Sequence, residues 1–231
     1  MTFLDTLLEN SYIPMYGLAL VLALIRYPKF FDTPLKFFPI LLMYTFLNEI
    51  LGTIISSNDQ YSFVFNDFYA DYNMVIYNIY NVVFFAYFIY VFRAYLPQGK
   101  PKKILLICGA LFLLVSLLNP VFQDFMIEAQ IGIYVVGALV LITGIIFYFV
   151  DLQKNTGRWF HRKDLMSWIG LGMLIFYTGY LPIKIYRHFA TIHQVTEPSY
   201  IRKIQLTLIL LMYLCIIVGF VMMRRRKLVS E

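Results

Sequence analysis

Five apolar runs dominate the chain: Leu35–Ile55, Met74–Leu96, Ile131–Val150, Leu165–Ile185 and Ile204–Met223. Each holds about 20 residues, the length of helix that crosses a hydrocarbon core of about 30 Å. Hydrocarbon offers no water to backbone N–H and C=O groups, so such a run folds as a helix, which satisfies them internally. Composition points the same way: 61% of the 231 residues are hydrophobic, 14% are charged and the mean hydropathy is +0.72. A soluble domain carries about a quarter charged residues. A chain this apolar cannot cover its own surface with polar groups, and lipid must be its main solvent. Two shorter runs complete the set. Ile104–Leu118 extends towards Val121 as far as Pro120 allows, and Tyr12–Ile25 places Pro14 in a first helical turn, where a missing N–H costs little. Residues 2–10, TFLDTLLEN, supply an interfacial turn before it. No basic residues precede that run and no small-residue cleavage site follows, so it does not read as a cleavable signal peptide.

The expected fold is therefore an all-α integral membrane protein: a single domain over residues 1–231 with seven transmembrane helices. The approximate spans are 12–26, 35–56, 73–96, 104–121, 130–150, 165–186 and 204–223. Charge sets the orientation. With the N-terminus outside, the cytoplasmic segments hold Arg26, Lys29, Lys36, Arg93, Lys100, Lys102, Lys103, Lys154, Arg158, Arg162, Lys163, Arg224, Arg225, Arg226 and Lys227, fifteen of the 19 basic residues. The outer segments before residue 184 hold none, but carry Asp5, Glu9, Asp59, Asp67, Asp71, Asp124 and Glu128. Lys and Arg stay on the cytoplasmic side, which predicts N-out, C-in. The net charge of +6 is explained by this pattern, with anionic lipid or a cytoplasmic partner as further uses, and calls for no nucleic acid. Cys108 and Cys215 fall within predicted helices, as small core or lipid-facing residues.

Inside this apolar background, FLNEILG at residues 46–52 sets Asn48 beside Glu49. Residues three and four apart share a helix face, so Tyr44, Thr45, Asn48, Glu49, Gly52, Thr53 and Ser56 form one polar stripe. The third span answers with Asn73, Tyr77, Asn78, Tyr80 and Asn81, the sixth with Tyr177, Tyr180, Lys184 and Arg187, the fifth with Gln130 and Tyr134, and the seventh with Gln205. A polar stripe at membrane depth faces protein or a water-filled cavity. All these groups fall in the outer halves of their spans, which predicts an outward-facing polar pocket closed below by an apolar plug. Glu49, Asn48, Tyr77, Asn78, Tyr80, Asn81, Tyr177, Tyr180, Lys184 and Arg187 are the candidate ligand contacts, with Lys184 or Arg187 the expected counter-charge to Glu49. Gly179 and Pro182 form a candidate hinge, because Pro182 releases the Thr178 carbonyl and kinks the helix. Gly137 and Gly144, seven apart, mark a close packing face.

Several chemistries lack their residues. His161, His188 and His193 lie in or beside loops, where they cannot ligate a membrane haem, and neither HExxH nor GxSxG occurs. Asp59, Asp67 and Asp71 read as solvated acids rather than a metal site. No catalytic residues, metal or cofactor are assigned. Retinal proteins need a lysine in their last helix, and LTLILLMYLCIIVGF has none. The helix-2 glutamate in FLNEILG and the helix-3 YNIYN leading into Tyr and Phe resemble a group of uncharacterised seven-helix proteins from Bacteroidota. That resemblance implies a bacterial inner membrane and no particular activity. The leading expectation is a receptor-like or accessory protein that binds a small polar ligand or a partner's polar segment and signals through a separate cytoplasmic protein. Two alternatives stay open: a small-solute transporter, proton-coupled through Glu49, and a structural subunit of a membrane complex.

Overall fold

The computed structural model describes residues 3–57, 74–126 and 128–224. Seven α-helices account for most of them: α1 (Phe3–Arg26), α2 (Phe38–Ser57), α3 (Met74–Tyr95), α4 (Lys100–Leu118), α5 (Ile131–Thr156), α6 (Leu165–Ile192) and α7 (Ser199–Met222). Short 3-10 turns at Tyr27–Lys29, Pro34–Phe37 and Asn119–Val121 join them, and no strand occurs among the described residues. Six of the seven helices, α2 to α7, are long and apolar enough to cross a membrane. The exception is α1, which carries Asp5, Glu9 and Asn10 near its start. The protein is thus an integral membrane protein. Its lipid-facing surface is plainest on α4, where Leu106, Ile107, Leu111, Leu114 and Leu117 are all at least half exposed. Expected features within residues 58–73, including Asp59, Asp67, Asp71 and Asn73, lie outside the described residues, as do Arg225, Arg226 and Lys227.

One expectation fails at the N-terminus. Pro14 is not in a first helical turn but inside α1, which is continuous from Phe3. The polar TFLDTLLEN segment therefore begins the helix instead of preceding it. Spacing explains how it can: Leu4, Leu7 and Leu8 recur at three and four residues among the acids, which is helical periodicity.

The chain divides into two compact units, Met1–Leu42 with Ile145–Glu231, and Met43–Gly144, so that the divisions fall within α2 and α5. In the first unit α7 packs on both α6 and α1. Small residues let the helices approach. A side chain at Gly172 would meet the Met212 backbone oxygen at 2.9 Å, and one at Gly179 would meet Leu208 at 2.8 Å. Aromatic rings fill the seam between α1 and α7, with the Tyr16 and Tyr213 centroids 4.3 Å apart.

The second unit is built on a seven-residue repeat shared by three helices. Phe85 and Phe92 of α3, Leu105 and Phe112 of α4, and Gly137 and Gly144 of α5 are each seven apart. Gly137 receives the rings of Phe85 and Phe112, and Gly144 receives Phe92 and Leu105. All four of those large side chains have no exposed surface. Two layers result, each made of two bulky groups closing over one glycine. In lipid, where apolar burial gives helices little reason to associate, such close van der Waals fit supplies much of the attraction. The packing face expected at Gly137 and Gly144 is the one observed.

A methyl group added at Gly137 would lie 2.5 Å from Phe85 Cδ2 and 2.9 Å from Phe112 Cε2, against 3.2 Å for the nearest atom at Gly144. Gly137→Ala is expected to lower stability by about 1–3 kcal/mol, the usual cost of overpacking, and Gly144→Ala by less. Unfolding titrations in detergent check the order of the two variants.

Candidate functional site

The ten candidate ligand contacts divide between the two units. Asn48, Glu49, Tyr77, Asn78, Tyr80 and Asn81 belong to the Met43–Gly144 unit, and Tyr177, Tyr180, Lys184 and Arg187 to the other. Each set is described within its own unit.

In the first set, α2 and α3 meet along their polar stripes. Thr45 Oγ1 and the Tyr80 hydroxyl are 2.9 Å apart and share a hydrogen bond, and the Tyr44 and Tyr80 rings meet edge-on at 5.5 Å. Two turns further along α2, the Tyr77 hydroxyl sits directly against Gly52 and fills the space a side chain there would take. Glu49, Tyr77 and Asn81 are half-buried. Asn48 is different. It is only 5% exposed, yet its Nδ2 is fully buried with no hydrogen-bond partner. An unmet amide of this kind costs about 1–3 kcal/mol, and buried polar groups are almost always partnered. It stands some 14 Å along α2 from Ser57, at about 1.5 Å per residue.

Asn78, by contrast, is wholly occupied. It is 2% exposed. Its Nδ2 donates to the backbone oxygens of Phe125 and Glu128, both at 2.9 Å, and its Oδ1 accepts from the Gln130 N–H at 3.2 Å. Two residues that sequence reasoning missed, Asn119 and Gln123, continue this network. Asn119 Nδ2 donates to Gln123 Oε1 at 2.9 Å and to Gln130 Oε1 at 2.6 Å, while Gln123 Oε1 also accepts from the Ile131 N–H. Gln130 Nε2 reaches the carbonyls of Gln123, Asp124 and Glu128. The side-chain amides of Asn78, Gln123 and Gln130 thus satisfy the irregular backbone between α4 and α5, and Asn119 ties Gln123 to Gln130. Asn78 therefore acts in the structure as a brace for this connection. The Asn119–Pro120 turn signal was the available sequence clue to it.

In the second set, Arg187 is the hub. Its Nε and Nη2 grip Glu197 as a two-pronged pair at 2.8 and 2.7 Å, and its Nη1 donates to Gln205 Oε1 at 2.6 Å and to the Tyr180 hydroxyl at 3.3 Å. The planar guanidinium suits this fork, which a lysine could not reproduce. The group joins the end of α6, the following turn and the start of α7. Gln205 was expected here; Glu197, lying in a loop, was not. Tyr177 and Tyr180 are buried, and Lys184 is half-buried one turn before Arg187. Pro182 stands inside α6 as expected of a kink site, but Gly179 has its own explanation in the contact with Leu208.

A further polar cluster was not anticipated. The Tyr148 hydroxyl donates to Asp164 Oδ2 in a short hydrogen bond, and the fully buried Ser167 lies 3.1 Å from each of them. It ties α5 to the start of α6. Among the described residues no group of three or more His, Cys, Asp or Glu side chains is arranged to hold a metal.

Asn78→Leu removes three bonds and leaves backbone groups of the 119–131 connection unmet, at about 1–3 kcal/mol for each buried group. Strong destabilisation is expected in a detergent unfolding titration, together with faster amide exchange at residues 125–130. Comparison of the chain with protein-family models, with curated proteins and with solved structures found no match for it.

Proposed function

We propose that the protein is a receptor-like or accessory component of a bacterial inner membrane, with its N-terminus outside and its C-terminus in the cytoplasm. Its outer half binds a small polar ligand, or the polar segment of a partner, on the α2–α3 face around Asn48, Glu49, Tyr77 and Tyr80. The basic inner connections then carry the response to a separate cytoplasmic protein, with Pro182 as the point at which the outer part of α6 bends. Support for the orientation comes from the basic residues, which crowd the connections on one side.

One observation carries the binding reading: the Asn48 amide is buried and unmet, whereas Asn78, four residues into α3, has both amide N–H donors and its oxygen engaged. A group kept at a cost to the fold is the signature of a functional site, where stability is given up for activity. The ligand would present an acceptor oxygen to Asn48 Nδ2, with the Tyr77 hydroxyl and the Glu49 carboxyl within a turn of it.

The replacement Asn48→Leu tests this with opposite signs on two readouts. Removing an unmet buried amide should raise stability by about 1–3 kcal/mol, seen as a higher midpoint in a detergent thermal melt. The same variant should lose the stabilisation that a screen of amino acids, carboxylic acids and sugars produces in the wild type. A lower midpoint for Asn48→Leu would mean that the amide holds the helices together, and the binding reading would fall. Solute accumulation by proteoliposomes under a pH gradient would instead favour transport.

A further inference from the structure

A second feature lies in the other unit and involves none of the α2–α3 residues of the proposed site. The end of α5, the start of α6 and the connection between them form an open apolar cleft of about 350 Å³. Phe149 and Val150 of α5, Leu171 and Leu174 of α6, and Trp159 and Phe160 of the connection are among the residues that line it. Leu174 is nine residues into α6, so the cleft reaches about 14 Å down the helix pair at 1.5 Å per residue. A space of this size with apolar walls holds water poorly, and beside a bilayer its natural filling is hydrocarbon.

The connection itself, Gly157 to Asp164, is basic. Arg158 precedes Trp159, and His161, Arg162 and Lys163 follow Phe160 directly, all of them exposed. The two nearby acids are already engaged: Asp151 accepts from Asn155 at 3.0 Å, and Asp164 accepts from Tyr148 and Ser167. The segment is also held in place. Trp168 Nε1 donates to the Arg162 carbonyl at 2.9 Å, the Arg224 N–H donates to the Lys163 carbonyl at 3.2 Å, and the Phe160 and Trp168 rings meet edge-on at 4.8 Å. A fixed basic rim thus stands at the mouth of a deep apolar slot, with an exposed tryptophan at the level where such rings settle in a bilayer.

We propose that this cleft is a binding site for an anionic phospholipid, one acyl chain lying between α5 and α6 and the phosphate of the headgroup over Arg158, Arg162 and Lys163. Each cation near a membrane surface attracts anionic lipid, and guanidinium groups bind phosphate in a fork. The chain supplies the slot and the rim supplies the preference for charge.

The tryptophans make the test direct. The chain has two, Trp159 in the wall and Trp168 beside Phe160. Trp168→Phe leaves Trp159 as the sole reporter, and the protein is reconstituted into nanodiscs containing phosphatidylglycerol or phosphatidylcholine brominated on the acyl chains. Bromine should quench Trp159 at a lower mole fraction of the anionic lipid, by about fivefold for each cation engaged. Arg158→Gln, Arg162→Gln and Lys163→Gln combined should erase that preference while leaving quenching by phosphatidylcholine unchanged. Leu171→Phe, which fills the slot, should weaken quenching by both lipids. Should the triple variant fail to fold, raising the salt concentration on the single-tryptophan protein serves instead, and the preference should shrink as the headgroup contact is screened. Equal quenching by the two lipids, a preference indifferent to both charge removal and salt, or no quenching by either would overturn the proposal.

Discussion

Hydrocarbon gives a polar group nothing to fall back on. In water, an amide that misses its protein partner turns to solvent at little cost; within the membrane it must be met by the chain, by a trapped water or by something bound. The placement of nearly every hydrophilic side chain here follows from that rule. The irregular stretch between α4 and α5 is allowed because Asn78, Gln123 and Gln130 satisfy its backbone, with Asn119 linking the two glutamines. The turn between α6 and α7 is closed by Arg187, which offers its guanidinium donors to Glu197, Gln205 and Tyr180. Against this background the Asn48 amide is buried and unmet, as are the Nε atoms of Arg26 and Arg93 and the Tyr87 hydroxyl, and of these Asn48 alone is among the candidate ligand contacts.

Packing solves the complementary problem, since helices already surrounded by lipid gain little from burying apolar area against one another. Attraction must come from close fit, and the Met43–Gly144 unit achieves it by periodicity. Spacings of seven on α3, α4 and α5 bring two layers into register, each with large groups closing over a glycine. In the other unit Gly172 and Gly179, also seven apart, let α7 approach α6 in the same manner. Gly137 and Gly172 leave the least freedom of these four, because their neighbours are aromatic rings or main chain.

The helices were largely legible in the sequence, because apolar length is a strong signal and the membrane permits few other structures. The start of α1 was hidden because its polar residues look like a loop when hydropathy alone is read. Gly137 and Gly144 were readable as a contact face, since small residues at a helical spacing have little other use. The separation of Asn78 from Asn48 was not readable. Both are asparagines in apolar helices, and their difference depends on a connection some fifty residues later in the chain folding back to reach only the shallower one. Glu197 was hidden for the same reason: a loop acid gives no sign of the arginine that will claim it. The basic residues of the α5–α6 connection were legible as a topology signal, but the apolar slot beneath them appears only once the two helices are packed.

In the proposed function the polar face of α2 opens to water on the outside of the membrane, which lets a ligand reach Asn48. Thiol labelling measures this directly. Cys108 and Cys215 are free thiols; with both replaced by alanine, a single cysteine is placed at Glu49, the neighbour of Asn48. A membrane-impermeant thiol reagent added to the outside of intact cells should modify this cysteine, while one at Leu47, on the exposed apolar side of the same helix, should stay unmodified. Labelling of the Leu47 position alone, or of the Glu49 position only when the reagent has access to the cytoplasmic side, would contradict this reading.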